Sequence, residues 1–118
     1  MKSPLKDKSY IFAVEIVRLI QDIQIQKREF VISKQLLRSG TSIGALIREG
    51  EFAQSNLDFI NKFSISLKEA NETKYWLELL KDTDYIDNDR YIYYDDLVNE
   101  LISMLVVSIK TMKQKLNK

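Results

Sequence analysis

Apolar and small residues recur every three or four positions through the middle of the chain. The stripe alternates steps of four and three residues and consists of Phe59, Phe63, Ser66, Ala70, Thr73, Leu77 and Leu80. Heptad spacing of this kind places the stripe on one side of an α-helix and is typical of left-handed helix bundles. Ser55 precedes the stripe and Asp58 follows three residues later, as in a capping box. The pattern predicts a helix from Ser55 to about Asp82 that buries its stripe against other helices.

Three further segments show helical periodicity. One runs from about Lys8 to Gln26, with Asp7 as the expected N-cap. Its apolar face consists of Ala13, Ile16, Ile20 and Ile23. Another begins after Ser33 and is predicted to bury Leu36, Gly40, Ile43, Ile47 and Gly50. The last begins after Asp87, and its stripe is Val98, Leu101, Leu105, Ser108 and Met112. These spacings place each apolar set on one helical face.

Two glycines inside the second helix indicate a close helix crossing. Gly40 and Gly44 should each cost about 1 kcal/mol relative to alanine in a helix interior. A helix that carries this cost usually gains a close backbone approach, so we expect a neighbouring helix to cross there. Because the connections between segments are short, neighbouring helices should run antiparallel. The predicted fold class is all-α, an antiparallel up-down-up-down four-helix bundle, with residues 1–118 as one domain.

The chain contains neither histidine nor cysteine, which excludes several kinds of active site. A Ser-His-Asp triad, a histidine-ligated metal and a thiolate site each need one of these residues. Glu69 and Glu72 have the spacing of ligand helices in di-iron bundles, but those sites also use histidine. Salt bridges are therefore favoured over an all-carboxylate metal site. We expect no catalytic residue, no metal and no cofactor, and hence no enzyme.

The first residues lack the apolar core of a signal peptide, and no run reaches the roughly 18 apolar residues of a membrane span. The predicted location is the cytoplasm, with no membrane partner and no small-molecule substrate.

The basic residues give two groups of candidate nucleic-acid contacts. Arg38 and Arg48 lie ten residues apart, nearly three helical turns, and are expected to project from roughly the same side. Residues 101–118 contain no acid and carry Lys110, Lys113, Lys115 and Lys118. Arginine and lysine both bind phosphate. The alternatives are that the arginines pair with Glu49, Glu69 or Glu72, and that the lysines simply suit the end of a helix.

The third and fourth helices carry more apolar residues than one buried stripe needs. A surface helix of a monomer normally keeps one polar side. The surplus predicts a homo-oligomer, with a candidate interface of Leu57, Ile60, Leu67, Trp76, Leu97, Ile102, Met104, Val106 and Ile109. The alternative is that these two helices are more deeply buried within a single bundle.

Several separated sequence blocks occur in an order that resembles a known family. They are Phe12-Ala13, Gln35 to Ile43, Glu49-Gly50, Asp58-Phe59 with Lys62, Lys68 to Thr73, Tyr75 to Leu77 and Tyr85-Ile86. The chain resembles, over almost its whole length, the four-helix-bundle family of bacterial rRNA intervening-sequence proteins, which is often labelled a ribosomal protein family. The resemblance implies an up-down bundle without known catalysis that forms homo-oligomers, commonly pentamers. A similar bundle, the accessory variability determinant of diversity-generating retroelements, is a basic pentamer that binds nucleic acid and reverse transcriptase.

Residues and resemblance together predict a non-catalytic homo-oligomeric adaptor. Its expected partners are other copies of itself, as a pentamer, and RNA or a nucleic-acid-processing protein. The alternative is a purely protein-binding oligomeric scaffold without nucleic-acid contact.

Overall fold

The computed structural model describes residues 3–117, which form four helices and no strand. The helices are α1 (Pro4–Lys27), α2 (Ile32–Glu51), α3 (Asn56–Asp82) and α4 (Asn88–Leu116). They pack in a ring in which each helix contacts the next and α4 contacts α1 over the shortest stretch. The predicted all-α four-helix fold is confirmed.

Contacts between neighbouring helices pair the start of one helix with the end of the next. For α1 and α4, Lys8 Nζ lies 2.8 Å from Glu100 Oε1, and Asp22 Oδ2 lies 2.8 Å from Arg90 Nη1. Between α1 and α2 the pairs are Gln24 with Ser33 and Ser9 with Gly44. Between α2 and α3 they are Ser39 with Thr73 and Glu49 with Lys62. Between α3 and α4 they are Lys81 with Tyr91 and Lys74 with Asp95. Each neighbouring pair is therefore antiparallel.

The heptad stripe of α3 lies in the core, as predicted, with only Phe59 partly exposed. Its two hydroxyl residues are buried and find partners on α2. Ser66 Oγ donates to the Ile43 carbonyl oxygen at 2.9 Å, and Thr73 Oγ1 donates to Ser39 Oγ at 3.0 Å. A buried hydroxyl is tolerated only when it is hydrogen-bonded, so these two bonds fix the register of α2 against α3.

The glycines of α2 lie at a close helix crossing, as predicted from the free-energy cost of placing glycine inside a helix. A Cβ at Gly44 would lie 3.3 Å from the carbonyl oxygen of Ser9 on α1. A Cβ at Gly40 would lie 3.1 Å from Ile16 Cγ2. The small residues therefore allow α1 and α2 to approach closely.

The start of α1 differs from the prediction. The helix begins at Pro4, and Ser3 is its N-cap, accepting the Lys6 N–H at 3.2 Å. The expected cap, Asp7, lies within the first turn. Proline favours the first helical position because its fixed φ suits a helix and its missing N–H needs no partner.

The start of α2 is also different, because Ser33 is not its cap. Glu29, which precedes the helix, accepts the N–H groups of Val31 and Ile32 at 3.0 Å and of Ser33 at 2.8 Å. The Ser33 hydroxyl donates instead to the Glu29 carbonyl oxygen at 2.8 Å. Burial by itself would raise the pKa of Glu29, but the hydrogen bonds to the carboxylate outweigh it and lower that pKa.

The starts of α3 and α4 follow the prediction. Ser55 Oγ accepts the Asp58 N–H at 3.0 Å, and Asp87 Oδ1 accepts the Arg90 N–H at 2.8 Å. Both caps satisfy backbone donors that the helix itself leaves unpaired. Among the described residues, no helix has an apolar stretch long enough to cross a membrane.

Candidate interaction surfaces

Arg38 is bound by other residues of its own chain. Its Nη1 lies 3.1 Å from Glu69 Oε1, and its Nη2 pairs with Glu72 Oε2. The Trp76 indole N–H donates to the same Glu72 oxygen at 2.9 Å. The hydrogen bond from Trp76, together with that from Arg38, lowers the pKa of Glu72. This is the pairing alternative raised from the sequence, so we remove Arg38 from the candidate phosphate contacts.

Glu69 and Glu72 therefore have a structural explanation that does not involve a metal. Within residues 3–117 there is no group of three or more acidic side chains placed to hold a metal ion.

Arg38→Gln should lower the free energy of unfolding by up to about 1 kcal/mol, because exposed ion pairs contribute little more than this. Trp76 is the only tryptophan, so its fluorescence reports on the cluster. The emission should shift to the red, because without Arg38 the Glu72 carboxylate is free to turn toward water and release the indole N–H. The control is Arg28→Gln, which replaces an exposed arginine that belongs to no such cluster. It should leave the Trp76 emission unchanged. An unchanged Trp76 emission in Arg38→Gln would contradict this role.

Arg48 lies in a different environment from Arg38. Ten residues at about 100° per residue leave about 80° between the two side chains, which is enough to turn them toward different neighbours. Arg38 faces α3, whereas Arg48 lines a groove on the α1 side. The prediction that the two arginines share one side is wrong.

The groove that contains Arg48 lies between α1 and α2 and has a volume of about 680 Å³. We call it the α1–α2 groove, and it is lined by Lys6, Ser9, Tyr10, Ala13, Thr41, Gly44, Ala45, Arg48, Glu49 and Phe52. Most of the lining is apolar. Tyr10 is 59% exposed and Phe52 is 78% exposed, so two aromatic rings flank a concave surface in contact with solvent.

The cations of the groove lack acidic partners. Neither Lys6 nor Arg48 has a carboxylate within 4.0 Å among the described residues, and Glu49 lies 3.7 Å from Lys62 on α3. Since Ser9 lies against Gly44, the antiparallel packing of α1 and α2 places Lys6 near the level of Arg48. Both cations therefore lie toward the same end of the groove.

The lysines at the end of α4 form a separate basic surface. Lys110, Lys113 and Lys115 are exposed, and none has an acidic partner within 4.0 Å in the described part of the chain. The start of α1 lies beside Met104 and Ser108, so the last turns of α4 extend past it. Lys118 lies outside the described residues. The predicted basic residues therefore do not converge on one site.

The candidate oligomer interface divides into three groups. Leu57 and Val106 are exposed, as the prediction required. Ile60 and Ile109 are each only 9% exposed and belong to the core, so their assignment to an exposed face was wrong. Positions next to the buried stripes of α3 and α4 are covered because these two helices pack against each other. The remaining members are half-buried against the core, namely Leu67, Trp76, Leu97, Ile102 and Met104.

Sequence reasoning missed the exposed apolar residues of α1 and α2. Tyr10 and Val17 are exposed on α1, and Phe52 is exposed at the end of α2. The sequence does carry a signal for the α1 residues, because Tyr10, Val14 and Val17 form a second stripe at steps of four and three. It carries none for Phe52, which follows the last helical residue and depends on what other elements cover.

Comparison with known proteins gives consistent results. A family model described as 23S rRNA-intervening sequence protein matches residues 2–107, which ends before Lys110. The crystal structure of a protein of unknown function from the S23 ribosomal protein family of Bacteroides thetaiotaomicron is similar, with 56% sequence identity and a TM-score of 0.89. That match covers 90% of this chain and 98% of the other. None of the curated proteins matches. The resemblance read from the sequence blocks is confirmed.

Proposed function

Since the chain belongs to the family of 23S rRNA-intervening sequence proteins, we propose that it is a non-catalytic, homo-oligomeric adaptor in the cytoplasm that binds RNA. Three exposed lysines without acidic partners at the end of α4 are the observation that carries this proposal. The family match ends before them, so the argument for these residues comes from this chain itself.

The charge distribution along α4 favours phosphate contact at its end. The acids of α4 stop at Glu100, ten residues and about 15 Å before Lys110. Repulsion from Glu100 is weak there because charges are screened over about 8 Å at physiological ionic strength. Long lysine side chains beyond the start of α1 can follow a phosphate backbone and release its counterions.

The homo-oligomer, which the family resemblance suggests is a pentamer, is supported by the apolar surface of the subunit. Exposed large apolar residues occur on α1, α3 and α4, including Tyr10, Ile65 and Val106, and Phe52 is exposed directly after α2. Apolar surface of this extent commonly marks an interface between proteins. Repetition of the subunit would also bring several lysine-rich ends into one particle, and simultaneous contacts strengthen binding to a long polyanion.

Replacing Lys110, Lys113 and Lys115 together by glutamine should weaken RNA binding. The affinity for 23S rRNA fragments and for an RNA duplex should fall at least about tenfold in about 50 mM salt, where phosphate contacts are strong. The slope of log affinity against log salt should fall by about three, because each lysine that no longer neutralises a phosphate lowers it by about one. Both quantities can be measured by fluorescence anisotropy with labelled RNA.

A matched control removes three cations from the opposite end of the bundle, by replacing Lys27, Arg28 and Lys34 with glutamine. This variant should keep the affinity and salt slope of the unaltered protein. Equal losses in both variants would show that only net charge matters. No RNA binding in about 50 mM salt would reject the proposal in favour of the protein-binding scaffold, especially if a protein partner resists nuclease during affinity capture.

A further inference from the structure

The α1–α2 groove has the form of a receptor for an apolar helix face. Its floor is made of small residues, Ala13, Gly44 and Ala45, and Tyr10 and Phe52 stand beside it. A second hollow of about 390 Å³ shares Tyr10 and Ala13 and continues the concave surface along α1.

Cations lie at both ends of this concave surface. Lys6 and Arg48 line the α1–α2 groove, and Arg18 lines the adjoining hollow. None of these three has a carboxylate within 4.0 Å among the residues described. An occupant that suits the surface would be apolar at its centre and acidic at both of its ends.

The exposed face of α4 contains an element with these properties. Ile92 and Tyr93, which are 46% and 49% exposed, lie between Asp89 and Asp96. These four residues lie on one helical face, and we call them the α4 ridge. The two acids have no cationic partner within 4.0 Å in residues 3–117. Asp89 and Asp96 lie seven positions, about 10 Å, apart along α4. Lys6 and Arg18 lie twelve positions, about 18 Å, apart along α1, and their long side chains can span the difference.

We propose that the α1–α2 groove of one copy binds the α4 ridge of a second copy. Ile92 and Tyr93 enter the groove, with Asp96 toward Lys6 and Arg48 at one end of the concave surface and Asp89 toward Arg18 at the other. The inference rests on the proposed homo-oligomer and assigns its surfaces, but it is independent of RNA binding. The cations of the concave surface and the acids of the α4 ridge have opposite charge, which favours the ridge over RNA as the occupant. A polyanion would leave Asp89 and Asp96 unpaired and would not match the mostly apolar lining.

The contact joins two different faces of the subunit. The groove belongs to α1 and α2, the ridge belongs to α4, and α2 does not approach α4 in the described structure. Each subunit therefore offers one groove and one ridge at the same time. A contact of this heterologous kind gives a particle of defined mass only when it closes into a ring.

Charge reversal tests the contact directly. Light scattering of the unaltered protein at micromolar concentration should give a defined mass several-fold above the 13.9 kDa of one chain. Arg48→Glu or Asp96→Arg alone should raise the dissociation constant of the assembly about a hundredfold, because each places like charges together. The double variant Arg48→Glu/Asp96→Arg should restore the original mass, since it exchanges the charges.

Two further variants distinguish a broken interface from a misfolded subunit. Ala45→Trp, at an exposed position in the groove, should also break the assembly by filling the groove. Lys34→Glu, at an exposed cation outside it, should leave the mass unchanged. Circular dichroism should show the same helix content in every variant, because the altered side chains are exposed and have no ion pair within the subunit.

Several outcomes would overturn the inference. These are a single-chain mass for the unaltered protein, an intact assembly in Arg48→Glu or Ala45→Trp, and a double variant that stays dissociated. Loss of RNA affinity with an intact assembly in Arg48→Glu would make the groove an RNA surface instead. If the charge exchange restores assembly while no RNA binds, the groove contact stands and only the RNA part of the proposed function fails.

Discussion

Glu29→Ala should lower the free energy of unfolding by up to about 3 kcal/mol, because it leaves three backbone donors without their acceptor, one of them in a buried hydrogen bond. The Glu29 carboxylate accepts three consecutive N–H groups at the start of α2, from Val31, Ile32 and Ser33. An ordinary N-cap residue satisfies one such donor and contributes about 1 kcal/mol. Urea unfolding followed by circular dichroism at neutral pH measures the difference.

Glu78→Ala is the matched control, since Glu78 is exposed on α3 and forms no ion pair among the described residues. It should change stability by less than about 0.5 kcal/mol. A loss in Glu29→Ala no larger than that of the control would show that water satisfies the start of α2 equally well.

The contribution of Glu29 should also depend on pH. Its pKa in the folded protein lies below the ordinary glutamate value of 4.5. The unfolded chain therefore takes up this proton more readily, and stability is lost as the pH falls from the unfolded value through the folded one. Above that window the stabilisation is fully present. The difference in stability between the unaltered protein and Glu29→Gln should be constant near neutral pH and shrink below about pH 4.5.

Gly50→Leu should lower the free energy of unfolding by about 3 kcal/mol through overpacking. A Cβ at Gly50 would lie 2.6 Å from Cδ1 and Cε1 of Phe63. Phe63 is buried and its ring stacks on Phe59 with centroids 4.0 Å apart, so it has little room to move. Helix propensity alone predicts the opposite sign, because leucine is favoured over glycine by roughly 1 kcal/mol. The sign of the measured change therefore separates the two arguments.

A size exchange with Phe63 tests the packing of these two residues. Phe63→Ala alone should cost about 4 kcal/mol by leaving a cavity. In Gly50→Leu/Phe63→Ala the leucine can fill part of that cavity, so the double variant should be destabilised by much less than the sum of the two single variants. Glu51→Leu, at the exposed neighbouring position, should be nearly neutral. Additive effects would mean that Gly50 and Phe63 do not interact.

Local patterns predicted much of the fold. The heptad stripe of α3 is buried where its spacing placed it, and Ser55 and Asp87 cap the helices that follow them. These features depend on residues within a few positions of one another. The predicted caps of α1 and α2 were wrong for a related reason. Several nearby residues could serve, and the choice between them depended on Pro4 and on the burial of Glu29 against the bundle.

The candidate surfaces were less predictable. The sequence identified Arg38, Arg48 and the lysines of α4 as a set, but their surroundings separated them. Arg38 is paired with Glu69 and Glu72, whereas Arg48 lines a groove with Lys6 and Phe52. Ile60 and Ile109 look like surplus apolar residues along the chain and are covered in the bundle. Burial and pairing are properties of two helices together, so a single helical pattern does not contain them.

By itself, the sequence determined four amphipathic helices, their antiparallel order and the family, because helical periodicity and short connections are local information. Only the tertiary structure decided which cations lack an acidic partner, which apolar residues remain exposed and where a glycine is required. Those outcomes depend on the register and distance between helices, which are set by the packing of side chains far apart in the chain. The close approach of Gly50 to Phe63 and the groove beside Arg48 are both products of that packing.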